Sequence, residues 1–229
     1  MAVGFEASDL FAAGVNFHEQ SSSSITNETN AFMLDAQGNQ ECITTGLNTM
    51  TEYSNEFAYC NSTPDIATDL GTLLTKFGDV HDSKKVTGLT INYTAGEYAT
   101  VSIDGHDHAE NNHSAGIAEG YADVSGAVPA SSGFGVPTWT GQTTGADCEI
   151  ISATLTFSLN HVDREGAAGN HFVGKSVTVK AELTIEAVGT PTTALPTGWY
   201  TVSSGPSDSN QDFDTWTGTW EKWYDLAVA

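Results

Sequence analysis

Residues 176–188 read SVTVKAELTIEAV, which sets Val177, Val179, Ala181, Leu183, Ile185 and Ala187 on one side of an extended chain and Thr178, Lys180, Glu182, Thr184 and Glu186 on the other. A period of two held this long predicts a strand with one buried and one wetted face. Residues 149–163 (EIISATLTFSLNHVD) repeat the pattern: Ile151, Ala153, Leu155, Phe157 and Leu159 face inward, and Ser152, Thr154, Thr156, Ser158 and Asn160 outward. Between the two, residues 164–175 (REGAAGNHFVGK) are polar and rich in glycine, which suits the tip of an oversized hairpin. Such a chain is organised around a sheet with a protruding arm, and not around a catalytic cleft.

At 229 residues the chain is long enough to bury a core as one β domain over residues 1–229. Residues 1–30 end in a run rich in Ser, Thr and Asn and read as an extended arm that orders against a neighbour. Residues 31–36 and 40–45, on either side of Gln37-Gly38-Asn39, predict a first short hairpin, and residues 50–60 a further strand. Thr63-Pro64-Asp65 has the chemistry of a helix start: a capping hydroxyl, a proline at the first helical position and an acid in the first turn. Ile66, Leu70, Leu73, Leu74 and Phe77 follow at helical spacing and Gly78 ends the run, so one amphipathic helix flanks the sheet. Residues 85–93 and 97–104 form a second hairpin about Thr94-Ala95-Gly96. Residues 105–144 read as a long connection with one strand near 121–128, residues 189–196 as a linker, and residues 198–229, which hold four of the five tryptophans, as a strand. The predicted fold class is all-β, a β-sandwich or barrel with one flanking amphipathic α-helix and long loops.

Charge narrows the function. Seven Lys and Arg face 29 Asp and Glu, a formal net charge of −22, although only 16% of residues are charged. The imbalance comes from missing bases more than from abundant acids. Such a surface has no grip on a phosphate backbone, where each contact needs a cation to replace a condensed counterion; nucleic acid passes without sticking. An acidic, lysine-poor surface also serves solubility or a saline habitat. Cys42, Cys60 and Cys148 form no CxxC and no Cys/His ligand spacing, so a thiolate zinc site is not expected. The first residues lack a basic and then apolar signal segment and no apolar run reaches the length of a membrane span, so the expectation is folding in cytoplasm. In that setting the sequons at Asn27, Asn61 and Asn92 are chance matches in a threonine-rich chain.

One cluster looks like a site: Asp104-Gly105-His106-Asp107-His108, followed by Glu110 and His113. On a strand His106 and His108 fall on the same side and, with Asp104 or His113, match the shell of a divalent metal, the basis for a metal-dependent enzyme of the cupin kind. The competing reading is the polar face of a strand running into a loop, since Thr100, Ser102 and Asp104 share that face. His161, near Asp163, follows Leu159 on the inward row and reads as a hydrogen-bonded structural histidine. Trp199, Trp216, Trp220 and Trp223 are candidates for the stacking platform of a carbohydrate-binding β-sandwich, or for core or subunit-interface packing. No nucleophile elbow, phosphate loop, dinucleotide fingerprint or HExxH is present. The expectation is therefore a protein that is not an enzyme, with no catalytic, cofactor-binding or metal-ligating residue and no cofactor. Assembly is assigned to the loop 164–174 and the N-terminal arm.

The order of elements, with KVTGLTINYTAGEYATVSIDG at 85–105, the helix at 64–77 and the two strands at 149–163 and 176–188, resembles the tail-tube (major tail) proteins of tailed bacteriophages and archaeal viruses. The likeness is architectural and covers about half of the chain. It implies a homo-oligomeric ring, typically a hexamer, that stacks into a hollow tube. Sheets of neighbouring subunits would line the lumen, arms or loops would bridge rings, and viral DNA would pass without specific binding. The other implied partners are other tail proteins, with no membrane, in a virion tail assembled in the host cytoplasm. A capsid decoration protein or another virion component shares most of these traits.

Overall fold

The two alternating segments become two seventeen-residue strands, and a further long hairpin precedes them in the chain. In chain order the elements are helix α1 (Ala7–Leu10), strands β1 (Phe17–Leu34) and β2 (Gln40–Tyr59), helices α2 (Ile66–Asp69) and α3 (Gly71–Thr75), and strands β3 (Val80–His81), β4 (Lys84–Thr94) and β5 (Thr100–His108). A 3₁₀ turn (Ser125–Ala127) follows, then β6 (Ala130–Ser131), β7 (Pro137–Thr138), β8 (Glu149–Glu165), β9 (Phe172–Val188), β10 (Tyr200–Ser207) and β11 (Thr215–Tyr224). The computed structural model describes residues 4–60, 66–108, 120–127, 130–131, 137–138, 149–165, 172–188, 198–207 and 215–227. The protein is all-β: nine strands form one sheet in the order β1-β2-β5-β4-β8-β9-β11-β10, with β3 beside β4, while β6 and β7 pair separately. Every pairing in it is antiparallel.

One face of this sheet is apolar and sealed. Phe57, Val101, Ile103, Leu89, Ile91, Leu155, Phe157, Val179, Leu183 and Ile185 are buried in a single cluster with residues of the helices and of the irregular segment 120–127. The helical stripe Ile66, Leu70, Leu73, Leu74 and Phe77 packs onto the sheet as its spacing predicts, with Phe77 against Phe157 at 5.9 Å between ring centroids. The helix itself is not the continuous one expected. It breaks at Leu70, because Gly71 removes backbone restraint and three threonines, Thr68, Thr72 and Thr75, are weak helix formers. It ends at Thr75, with Lys76 as its C-cap, before the glycine expected to stop it; Gly78, at φ +87°, lies in the turn that follows. The capping residues 63–65 lie outside the described residues.

Residues 4–30 are not a free arm. Phe5, Leu10 and Phe11 are core residues, and from Phe17 the chain is the outer strand of a long hairpin. Gly4, at φ +106°, turns the chain so that the Phe5 N–H donates to Oδ1 of the fully buried Asn55 at 3.0 Å; a Cβ at Gly4 would collide with that same oxygen. Asn55 Nδ2 donates in turn to Glu19. Phe11 stacks on Phe17 and meets Phe57 edge-on, and the Ala12 N–H donates to the Asp69 carbonyl at 2.7 Å. The expected short hairpin has its turn where predicted, but its strands run to eighteen and twenty residues and absorb the separate strand expected at 50–60. At the turn, Asp35 Oδ1 accepts from the Gln37 and Asn39 N–H groups and Oδ2 from the Asn39 side-chain amide, contacts that hold the carboxyl below its usual range.

The hairpin of β4 and β5 forms as predicted about residues 94–96. No strand forms at 121–127; Tyr121 and Ala122 make single bridges to Ala227 and Phe77 instead. The C-terminal segment is two strands rather than one. Residues 109–119, 139–148, 166–171 and 189–197, which include the glycine-rich tip and the linker, lie outside the described residues. Among the described residues no helix is long and apolar enough to cross a membrane.

Candidate functional site

The opposite face of the sheet is polar, and the strand register arranges it in rows. One row runs Ser21, Glu56, Ser102, Thr90, Thr156, Glu182, Glu221 and Tyr200 from β1 to β10. The next, one pleat away, runs Thr100, Asn92, Thr154, Thr184, Thr219 and Ser203. Neighbours in these rows satisfy one another across the strands. Thr154 Oγ1 donates to Asn92 Oδ1 at 3.1 Å, Asn92 Nδ2 to Thr100 at 3.5 Å, and the hydroxyl pairs Thr90/Thr156 and Thr184/Thr219 lie 3.4 and 3.2 Å apart. Ser152 donates to Glu186 at 3.4 Å.

The electrostatics follow from which charges share this face. Glu56, Asp104, Glu182, Glu186 and Glu221 sit among the hydroxyls, and Lys180 is the cation in their midst. Its ammonium is 3.0 Å from Glu182 and 3.2 Å from Glu221, and the hydrogen bond to Glu182, then that to Glu221, raises its pKa above the usual lysine value. The pair is exposed, so it adds little to stability; its effect here is to neutralise Lys180. What results is a broad surface of mutually bonded hydroxyls on which carboxylates outnumber the lysine among them.

At one end of the sheet both long hairpins outrun their neighbours. Strand β2 pairs with β5 only over Met50–Ala58, and β8 with β4 only over Ser152–Ser158, so residues 27–49 and 160–178 continue as two-stranded ribbons among the described residues. Because His106 faces Lys85 and Gly88 faces Ser158 in register, the ribbons leave from the same end. A ribbon of two strands is marginal by itself in water. A cleft of about 310 Å³ opens at the root of the first ribbon, between Ser23 and Ile25 of β1, Glu52 and Ser54 of β2, and Asp104 and His106 of β5.

His106, the head of the candidate metal cluster in the sequence, is buried, lies opposite Glu52 and Lys85, and has its ring centroid 5.2 Å from that of His161. His161 bonds Ser176 Oγ through Nδ1 at 3.0 Å, as a structural histidine does. His108 pairs with Met50 through its backbone; its side chain, Glu110 and His113 lie outside the described residues. Among the described residues no three His, Cys, Asp or Glu side chains are grouped to hold a metal ion. The tryptophan platform does not assemble either. Trp199 and Trp220 are buried in the core, Trp216 packs against it at 5.5 Å from the Trp220 ring, and Trp223 alone is well exposed, at 55%. Of the assembly loop, residues 166–171 lie outside the described residues.

Tyr224 shows how tightly the C-terminal strand seals the apolar face. Its hydroxyl is buried with no hydrogen-bond partner among the described residues, and burial, reinforced by the nearby Asp123 carboxylate, pushes its ionisation well above the ordinary tyrosine range. A folded-state pKa raised in this way gives stability that is present below about pH 10, the unfolded tyrosine value, and lost as pH climbs beyond it. In a spectrophotometric titration Tyr224 is therefore expected to ionise only with unfolding, and Tyr224→Phe to move the alkaline unfolding midpoint upward; an unchanged midpoint would refute this account.

The amino-acid sequence matches no family model and no characterised protein.

Proposed function

We propose that this protein is a structural virion subunit that self-assembles into stacked rings, forming the hollow tail tube through which viral DNA passes. The polar face of the sheet carries the reading. DNA is gripped by cations that replace its counterions, and here the sheet offers carboxylates, hydroxyls that already bond one another and a neutralised lysine. Such a wall repels a polyanion gently and holds it nowhere, which is what a conduit needs. The two ribbons that leave one end of the sheet support the stacking of one ring on the next, since a neighbour would supply the contacts they lack. A hexameric ring, other tail proteins as partners and a place in the virion after assembly in host cytoplasm rest on the family resemblance. The role is non-enzymatic.

Negative-stain electron microscopy of the purified protein over a concentration series tests this directly. Rings or stacked tubes with a central channel are expected. Uniform compact particles at every concentration would overturn the reading in favour of a decoration role.

A further inference from the structure

We infer that strand β10 of one copy adds to strand β1 of the next, so that copies join edge to edge into one continuous antiparallel sheet. The inference rests on the self-assembly proposed above and names the junction. Strands β1 and β10 are the two ends of the sheet's strand order. Edge strands are usually blunted by lysine, proline or bulges. β1 has neither lysine nor proline, and its register with β2 runs without a shift from Ser21 to Thr29. The stretch is solvent-exposed over residues 21–27, with Ile25 at 61%. On β10 the exposed large apolar side chains are Tyr200 at 69% and Val202 at 56%; its register with β11 shifts between Thr201 and Ser203, and Pro206, which has no N–H, limits the added ladder to the residues before it.

Direction allows the pairing. The eight strands from β1 to β10 alternate in sense, so β1 and β10 run opposite ways. A second copy turned about an axis parallel to the strands then meets the first with antiparallel edges, and the polar face stays on the same side in every copy. That is a head-to-tail contact, which closes into a ring when the rotation closes. Charge favours it over β1 on β1. β1 carries Glu19 and Glu28, so β1 on β1 would gather the carboxylates of two copies into one junction, in a protein of net charge −22. β10 reads YTVSSGPS and has no charged residue.

Cysteine cross-linking tests the junction. In a chain with Cys42, Cys60 and Cys148 replaced by Ala and folding verified by circular dichroism, Ser23→Cys and Ser203→Cys are introduced singly and together. A short bis-maleimide is then applied at assembling concentration. The double variant is expected to give a ladder from dimer upward, and loss of either cysteine to abolish it. A dimer from Ser23→Cys alone would overturn the inference in favour of a two-fold junction. Rings or tubes under the microscope without any ladder would overturn the edge contact and leave the tube reading standing. A particle that stays monomeric and uncross-linked throughout would remove both.

Discussion

A chain that starts at residue 13 is expected not to fold. Residues 1–12 contribute Phe5, Leu10 and Phe11 to the core, and burying such side chains stabilises by about 1.5–3 kcal/mol each. Their loss also strips the Phe5 N–H from Asn55, leaving a fully buried amide without that partner, at a further cost of about 1–3 kcal/mol. The Ala12 N–H no longer reaches Asp69, the contact that ties this segment to α2. Together these approach the whole stability of an ordinary domain, about 5–15 kcal/mol. Far-UV circular dichroism and a urea titration check the result, and a truncated chain unfolding cooperatively at the full-length midpoint would show that the segment is dispensable. The outcome bears on assembly as well. A segment from Phe5 to Phe17 needed to close its own subunit's core is not free to reach a neighbour, so in the proposed tube contacts between rings would fall to the β1–β2 and β8–β9 ribbons.

That conclusion marks where sequence and structure part. The strands β4, β5, β8 and β9 were legible because a single sheet with one sealed face writes a strict period of two into Val101, Ile103, Leu155, Phe157, Val179 and Leu183. The helical stripe was legible for the same reason at period 3.6, down to which five side chains are buried. What escaped was β1. Its middle, Ser21-Ser22-Ser23-Ser24, is exposed at an edge, where backbone pairing to β2 decides the conformation and side chains leave no apolar rhythm. Phe5, Leu10 and Phe11 escaped because the chain that carries them is only a four-residue helix and turns, too short to show a period. The site divides in the same way. The outward residues of β8 and β9 could be listed from the sequence, yet their assembly into rows with Asn92, Thr100 and Thr219, and the pairing of Lys180 with both Glu182 and Glu221, depend on cross-strand register. His106 and the tryptophans stayed open between site and core because residue type alone does not say whether a polar or aromatic side chain is inside: His106, Trp199 and Trp220 are buried.

If the polar face owes its indifference to DNA to missing cations, supplying them should end it. Replacing Glu56, Glu182, Glu186 and Glu221 together by Lys places four new ammonium groups on half-exposed or exposed positions of the polar face. Each exchange adds two charges, which moves the formal net charge from −22 to −14. The global charge still opposes DNA, but the local field at the face reverses, and at contact distance the local term dominates because charges beyond about 10 Å are screened at 0.1 M salt. The wild-type protein is expected to leave duplex DNA unshifted at any salt. The variant should bind at low salt and lose affinity roughly a hundredfold between 50 and 200 mM salt, the dependence expected for about four neutralised phosphates. The exposed Lys180 pairs lost on the way cost little stability, so the folded state survives the change and circular dichroism can confirm it. A folded variant that ignores DNA at low salt, or a wild-type protein that binds it, would mean that the face does not act through its charge. A salt-sensitive variant beside an inert wild type would tie the face's indifference to DNA to the particular residues that line the sheet, because the backbone beneath them is the same in both.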